Sequence, residues 1–240
     1  SWKYRSGNKK ATYRPDWDGN RALELTWWGF PLLIIVVLSG IIWKSSHDLD
    51  PFRPLASEKK PVTVQLVSLQ WKWLYNNPEH TIATVNYLQI PEDTPINFEI
   101  TADAPMNSFW IPQLGGQVYA MAGMQTKLHL SADEPGEYDG VSANISGEGF
   151  AGMRFTAKAT TYDDYVQWLS VTKQSPATLD FEAYKSLAVP AVSQNSLQYG
   201  SVESELYGAV LEKFIHPSAY LRVGAGLPTP KSTDHESESH

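Results

Sequence analysis

The chain has 240 residues, enough for one sizeable domain with additions at its ends. A formal net charge of −7 speaks against nucleic acid as a partner. With no cysteine it has no disulfides, no thiolate metal site and no cysteine nucleophile, while nine tryptophans suit either a membrane interface or a β-rich core.

Residues 1–21 are basic: Lys3, Arg5, Lys9, Lys10, Arg14 and Arg21 stand against Asp16 and Asp18. Leu25 to Trp43 then carries no charge. At 1.5 Å per residue a helix of that length reaches roughly 28 Å, about the thickness of bilayer hydrocarbon. A buried core helix would show a polar face, and this run shows none. A signal peptide would be shorter and terminal. Trp27, Trp28 and Trp43 sit at its ends, where indoles favour the headgroup level, and Pro31 is tolerable in a membrane helix with packing neighbours. Ser39 and Gly40 offer a small-residue contact face. Because the basic loop precedes the helix, the positive-inside rule puts residues 1–21 in the cytoplasm and everything after Trp43 outside. Glu24 sits one residue before the run, where spacing alone makes it a complement to the helix dipole.

Residues 44–61, with Pro51, Pro54 and Pro61, read as a linker. The hydrophobic period then changes to two. Val62, Val64 and Leu66 alternate, and Val67, Leu69, Trp71, Trp73 and Tyr75 alternate on the other parity. Keeping one face buried across that change predicts a β-bulge near Leu66–Val67. Strand-like runs follow at Thr81–Tyr87, Ile96–Thr101, Lys127–Ser131 and Met153–Ala159. Turn signals at Pro91–Pro95, Gly115-Gly116 and Glu134-Pro-Gly136 separate them. Many short strands with regular turns predict a sandwich or barrel. Residues 138–153 read as a glycine-rich loop running into a strand.

Beyond Thr160 the pattern turns helical. Thr161 is placed to cap a helix carrying Tyr165, Val166, Trp168 and Leu169, with Asp163 and Asp164 in its first turn and Ser175-Pro176 beyond its end. Phe181, Tyr184 and Leu187 predict a second helix, and Leu206, Val210 and Phe214 a third. Residues 224–240, rich in Gly, Pro, Ser and acidic side chains, are expected to be disordered. His47, His80, His129, His216, His235 and His240 have no partners at metal-ligand spacing, and His129, between Leu128 and Leu130, is expected to face out of its strand. The acidic pairs Asp133-Glu134 and Asp163-Asp164 fall in turns and helix starts, and no catalytic motif is present.

The spacing within 138–153 says more. Ser142, Ser146, Gly147, Phe150 and Met153 stand in the register Cys-x-x-x-Cys-Gly-x-x-His-x-x-Met. That register resembles the copper loop of cytochrome oxidase subunit II. Upstream, Asn107-Ser-Phe-Trp-Ile-Pro112 resembles the run that a histidine ligand opens in that family, with asparagine in the histidine's place. A dinuclear copper centre needs thiolates and imidazoles, and serine hydroxyls, an amide and a phenyl ring do not replace them. Asn107 to Gly115, with Tyr119-Ala-Met-Ala-Gly-Met-Gln-Thr126, is similar to subunit II of the quinol-oxidising haem–copper oxidases, most of all the bo type. The resemblance runs from Trp2 to about Thr160 and more loosely beyond.

The resemblance implies a mainly β fold: a cupredoxin-like Greek-key sandwich over residues 62–160, preceded by one transmembrane helix (23–44) and a linker (45–61). Short helices follow over 161–223, with a disordered tail over 224–240 and a basic cytoplasmic loop over 1–22. The sandwich is expected to close its own core. The family's subunit begins with an exported, often lipid-modified segment and a first membrane helix. Ser1-Trp2-Lys3-Tyr4-Arg5 looks like the end of that helix. The implied function is a non-metal-binding subunit of a proton-translocating ubiquinol oxidase in the bacterial inner membrane. Haems and the active-site copper would sit in subunit I. The partners would be that subunit, the other oxidase subunits, membrane lipid and, through the complex, ubiquinol, with no nucleic acid. Trp71 and Trp73 match the aromatic motif through which copper-bearing relatives receive electrons; without a copper relay they are expected to serve packing or an interface. Asn20-x-x-Leu-Glu24-x-x-Trp27-x-x-x-Pro31 matches the place where the family's glutamate marks the mouth of a proton-uptake channel. The rival readings are a copper-bearing cytochrome c oxidase subunit and a free, membrane-anchored cupredoxin-like binding domain.

Overall fold

A computed structural model describes residues 5–10, 19–48, 50, 52–55, 57–193 and 195–215. The tail expected over 224–240, the first residues of the basic loop, and His216, His235 and His240 lie outside the described residues. The chain divides into two units, residues 1–50 and 51–240.

The first unit is built on α1, Arg21–Asp48. Asn20 starts it as an N-cap. Its side-chain oxygen accepts from the backbone N–H of Ala22 (3.0 Å) and Leu23 (3.3 Å), and its carbonyl takes the first helical bond from Glu24 N–H (2.9 Å). The helix runs about one turn past the uncharged run at each end, and none of its residues is buried. It is long and apolar enough to cross a membrane.

The second unit is a two-sheet sandwich. Its strands are β1 (Val62–Leu69), β2 (Lys72–Asn77), β3 (Ile82–Val85), β4 (Tyr87–Pro91), β5 (Ile96–Ala102), β6 (Asn107–Trp110), β7 (Val118–Ala120), β8 (Thr126–Leu130), β9 (Gly136–Ser142) and β10 (Arg154–Thr160). After them come α2 (Tyr162–Lys173), β11 (Thr178–Leu179), α3 (Phe181–Ala188), β12 (Leu197–Tyr199), β13 (Ser201–Val202) and α4 (Leu206–Glu212). One sheet has the order β12-β3-β2-β1-β5-β8, the other β4-β10-β9-β6-β7, and β11 pairs with β13 apart from both. The pairs β1–β5 and β4–β10 are parallel. This is the cupredoxin-like Greek-key architecture, with one apolar helix before it and short helices after it.

The two sheets enclose a core centred on Phe109, whose ring stacks on Phe155 (5.0 Å between centroids) and meets Trp73 edge-on (5.4 Å). Each such pair adds roughly 0.5–1.5 kcal/mol beyond area burial. Trp73 and Phe109 are wholly enclosed.

The bulge expected at Leu66–Val67 is absent. β1 pairs with β5 without interruption from Val62↔Ile96 to Ser68↔Ala102. The change of parity has another cause, because the sheet is buried on both faces. Val64 and Leu66 face the sandwich core, whereas Val67, Leu69, Leu74, Ala83 and Val85 face a second apolar layer. That layer is supplied by Leu179, Phe181, Tyr184, Leu187, Leu206, Tyr207, Ala209 and Val210. The run from Val67 to Tyr75 is also not one strand. It turns at Gln70–Trp71 into the β1–β2 hairpin, with Trp71 at φ 69°.

Asn86, at φ 55°, ends the strand expected at Thr81–Tyr87, and a separate strand, β4, runs from Tyr87 to Pro91, through residues not read as strand and into the proline read as a turn. The stretch read as loop from residue 138 is strand as far as Ser142. The expected cap at Thr161 is present, its Oγ1 accepting from Asp164 N–H (3.3 Å); Asp180, which was not singled out from the sequence, caps α3 in the same way, its Oδ1 accepting from Ala183 N–H (2.8 Å). His129 lies on the side of β8 opposite core-facing Leu128 and Leu130. It is half-buried, with Nδ1 2.7 Å from Asn97 Oδ1, and burial lowers its pKa.

Candidate functional site

At one end of the sandwich, the end of β9 and the start of β6 bring Ser142 and Asn107 together. Ser142 Oγ donates to Asn107 Oδ1 at 2.9 Å, and both side chains are buried. The Asn107 amide donates within its own segment to Pro105 O (3.2 Å); across the two segments Asn144 Nδ2 donates to Met106 O (2.8 Å) and Ala143 N–H to Ser108 O (3.0 Å), beside the β6–β9 pairing. The loop between β9 and β10 is closed at its base by Ser142 N–H to Met153 O (3.2 Å). Within it, Phe150 N–H bonds to Gly147 O (3.2 Å) and Met153 N–H to Phe150 O (3.0 Å), around a single 3-10 turn at Phe150–Gly152. Met153 is 1% exposed and belongs to the sandwich core. Ser146 is buried, and its Oγ has no protein partner among the described residues.

Trp71 covers this loop. Its indole N–H donates to Ser146 O at 3.1 Å. A Cβ at Gly149 would stand 2.2 Å from the indole ring, and Gly147 sits at φ +108° with the ring 3.3 Å from where its Cβ would be. A side chain at Gly149 therefore cannot coexist with this indole position. Trp73, two residues on, points into the core instead.

The donor set does not fit a dinuclear copper centre. Asn107 and Ser142 satisfy each other, Ser146 offers a hydroxyl, Phe150 offers no donor, and a single thioether remains. Among the described residues there is no group of three or more His, Cys, Asp and Glu side chains suited to a metal ion.

Glu24 stands in the first turn of α1, in the other unit. A Cβ at Gly19 would lie 3.4 Å from its Oε1, so the carboxylate folds back over the chain entering the helix. Gly19, Asn20, Leu23, Glu24, Trp27 and Trp28 line an open hollow there.

Four contributors beyond the loop register were not identified from sequence. Lys72, between the two tryptophans, is buried and donates to Leu187 O (2.6 Å) and Val189 O (3.0 Å) at the end of α3; burial lowers its pKa. A lysine between two tryptophans, at the start of a strand, was the available signal. Asp103, four residues before Asn107, accepts from Tyr184 OH (2.8 Å) and Lys213 Nζ (2.6 Å). Asn86 donates to Ser193 O (2.6 Å), and Val192 packs on Gly152.

Comparison with known proteins gives this end of the molecule its relatives. The family model for the periplasmic domain of cytochrome c oxidase subunit II matches residues 77–160, and that of the COX aromatic-rich motif matches residues 173–218. Cytochrome bo(3) ubiquinol oxidase subunit 2 of Pseudomonas aeruginosa is 51% identical over 216 residues, covering 90% of this chain and 65% of that protein. The protein of the same name from Pseudomonas putida is 50% identical over 214 residues, 89% of this chain and 68% of that one. Ubiquinol oxidase subunit 2 of Acetobacter aceti is 47% identical, with 89% and 70% covered. The chain thus spans about two thirds of the length of these relatives. With that identity sustained across the sandwich and the helices after it, the chain belongs to the ubiquinol oxidase subunit 2 family.

Proposed function

We propose that this chain is the metal-free second subunit of a proton-translocating ubiquinol oxidase of the respiratory chain. The complex oxidises ubiquinol and reduces oxygen to water, and its haems and copper reside in subunit I. The observation that carries this reading is the Asn107–Ser142 hydrogen bond, which joins two residues that stand at copper-ligand positions in the family's register and leaves neither as a copper donor. A copper relay above the membrane serves a donor that docks from water. A quinol arrives within the bilayer and delivers its electrons to the membrane-embedded subunit directly, so the relay is dispensable.

In this reading α1 anchors the chain in the bacterial inner membrane, with residues 1–21 in the cytoplasm and the sandwich in the periplasm. The chain acts as cover and assembly partner for subunit I and the remaining oxidase subunits. Glu24, at the cytoplasmic end of α1, contributes to the mouth of a proton-uptake channel. The test is purification of the tagged chain from native membranes. The expected product carries a haem-bearing partner and consumes oxygen with ubiquinol as donor. A chain recovered without haem would overturn the proposal in favour of a free binding domain. A stoichiometric purple dicopper signal after copper loading would overturn it in favour of a cytochrome c oxidase subunit.

A further inference from the structure

We propose that the C-terminal aromatic-rich segment clamps the 143–153 loop into shape, holding by packing what a bound metal would hold by coordination. In a copper-bearing protein the ligands would cross-link the loop. Here the cross-links come from outside it. Val192 rests on the loop's 3-10 turn: a Cβ at Gly152 would lie 2.6 Å from Val192 Cγ1. The strip 187–193 that carries Val192 is itself fixed, by Lys72 on the carbonyls of Leu187 and Val189 and by Asn86 on that of Ser193. Lys72 adjoins Trp71, whose indole covers Gly147 and Gly149 on the other part of the loop. The same segment also reaches the Asn107 side, since Tyr184 and Lys213 both bond Asp103. Phe214 and Ile215 pack on the Gly123 turn, where a Cβ would meet them at 3.3 and 3.4 Å. One stretch of chain therefore touches the loop, the hairpin that covers it and the turn leading to Asn107. Its attachment to the loop is independent of whether the complex oxidises quinol.

The test is hydrogen exchange in the full chain in detergent, read at the amides of Phe150, Gly152 and Met153, which close the 3-10 turn. Val192→Ala trims a side chain that is 50% exposed, so the sandwich should fold normally. It should raise exchange in the loop by about tenfold or more and leave β1 and β5 unchanged. Lys72→Met, which frees the strip, should do the same more strongly. A second arm uses the absence of native cysteine. An ideal Cβ at Gly152 lies 3.9 Å from Val192 Cβ, inside the span of about 3.5–4.5 Å that a disulfide requires. Gly152→Cys with Val192→Cys should therefore cross-link under mild oxidation and slow loop exchange relative to the reduced form. The proposal is overturned if Val192→Ala leaves loop exchange at the parent rate, whatever becomes of Lys72→Met, or if the double cysteine variant folds and does not cross-link.

Discussion

Single side chains decide the shape of the loop end. Gly149 exists because Trp71 lies across it. Gly149→Ala must displace the indole and should cost about 1–3 kcal/mol, as overpacking does. The same substitution in a Trp71→Ala background should cost much less, and a double-mutant cycle by denaturant titration checks that coupling. Asp103 is a second such point. Its carboxylate is 3% exposed and accepts from Lys213 and Tyr184 together. Asp103→Ala leaves a part-buried ammonium and a buried hydroxyl without it and should cost about 3 kcal/mol or more; Tyr184→Phe should cost about 1 kcal/mol. Glu24 is a different case, because its proposed role is in turnover. Glu24→Gln keeps size and polarity and removes the titrating group. We expect intact assembly and haem content, slower quinol-driven oxygen consumption per haem, and a milder effect for Glu24→Asp. A carboxylate that only complements the helix dipole would instead lose about 0.3–1 kcal/mol of stability at unchanged turnover.

At the scale of elements, β1 shows where a sequence pattern can mislead. Alternation of Val62, Val64 and Leu66 followed by Val67 and Leu69 fits a bulge if only one face is buried. It fits a straight strand if both are. Nothing local in residues 62–75 distinguishes the two, because the cover for the second face lies more than a hundred residues away, in α3 and α4. The N-cap Thr161 and the uncharged α1 were legible, since their causes are local: an oxygen before an open helix end, and a run that matches bilayer thickness. Strands β6, β7 and β9, and β4 beyond Tyr87, were not, because they are short, polar and glycine-bearing, or end in a proline, and their partners, rather than their own residues, make them strands. The two-faced sheet also changes what a fragment should do. A chain restricted to residues 62–160 would expose Val67, Leu69, Leu74, Ala83 and Val85, all buried in the intact unit. Although its strand pattern invites the idea that it closes its own core, we expect it to aggregate or to melt without cooperativity. Residues 57–215 should melt as one transition in circular dichroism. A cooperative melt of the shorter fragment at the same temperature would contradict the shared second layer.

At the scale of the whole molecule, the register of the 138–153 loop was legible because it is a spacing along the chain, read directly from Ser142, Ser146, Gly147, Phe150 and Met153. The means by which the loop is held was not, since Trp71 and Lys72 act from one stretch of chain and Val192 from another far along the sequence. That arrangement makes a final prediction possible. If the loop's backbone is held by packing and hydrogen bonds alone, returning the ligands should return the metal. Asn107 and Ser142 already converge to 2.9 Å, Met153 is in register, and the bond from Trp71 reaches the backbone of Ser146, so Ser146→Cys leaves it in place. The variant carrying Asn107→His, Ser142→Cys, Ser146→Cys and Phe150→His supplies two thiolates and two imidazoles, the soft sulfur and nitrogen donors that select copper. Loaded with copper, it should develop the purple absorption of a mixed-valence dicopper centre and melt at higher temperature than its metal-free form, because ligand binding to the folded state alone stabilises it. The parent chain treated identically should do neither. A variant that folds, shows free thiols and still takes up no copper would mean that the loop has drifted from ligand geometry, and that its resemblance to a copper loop is confined to spacing along the chain.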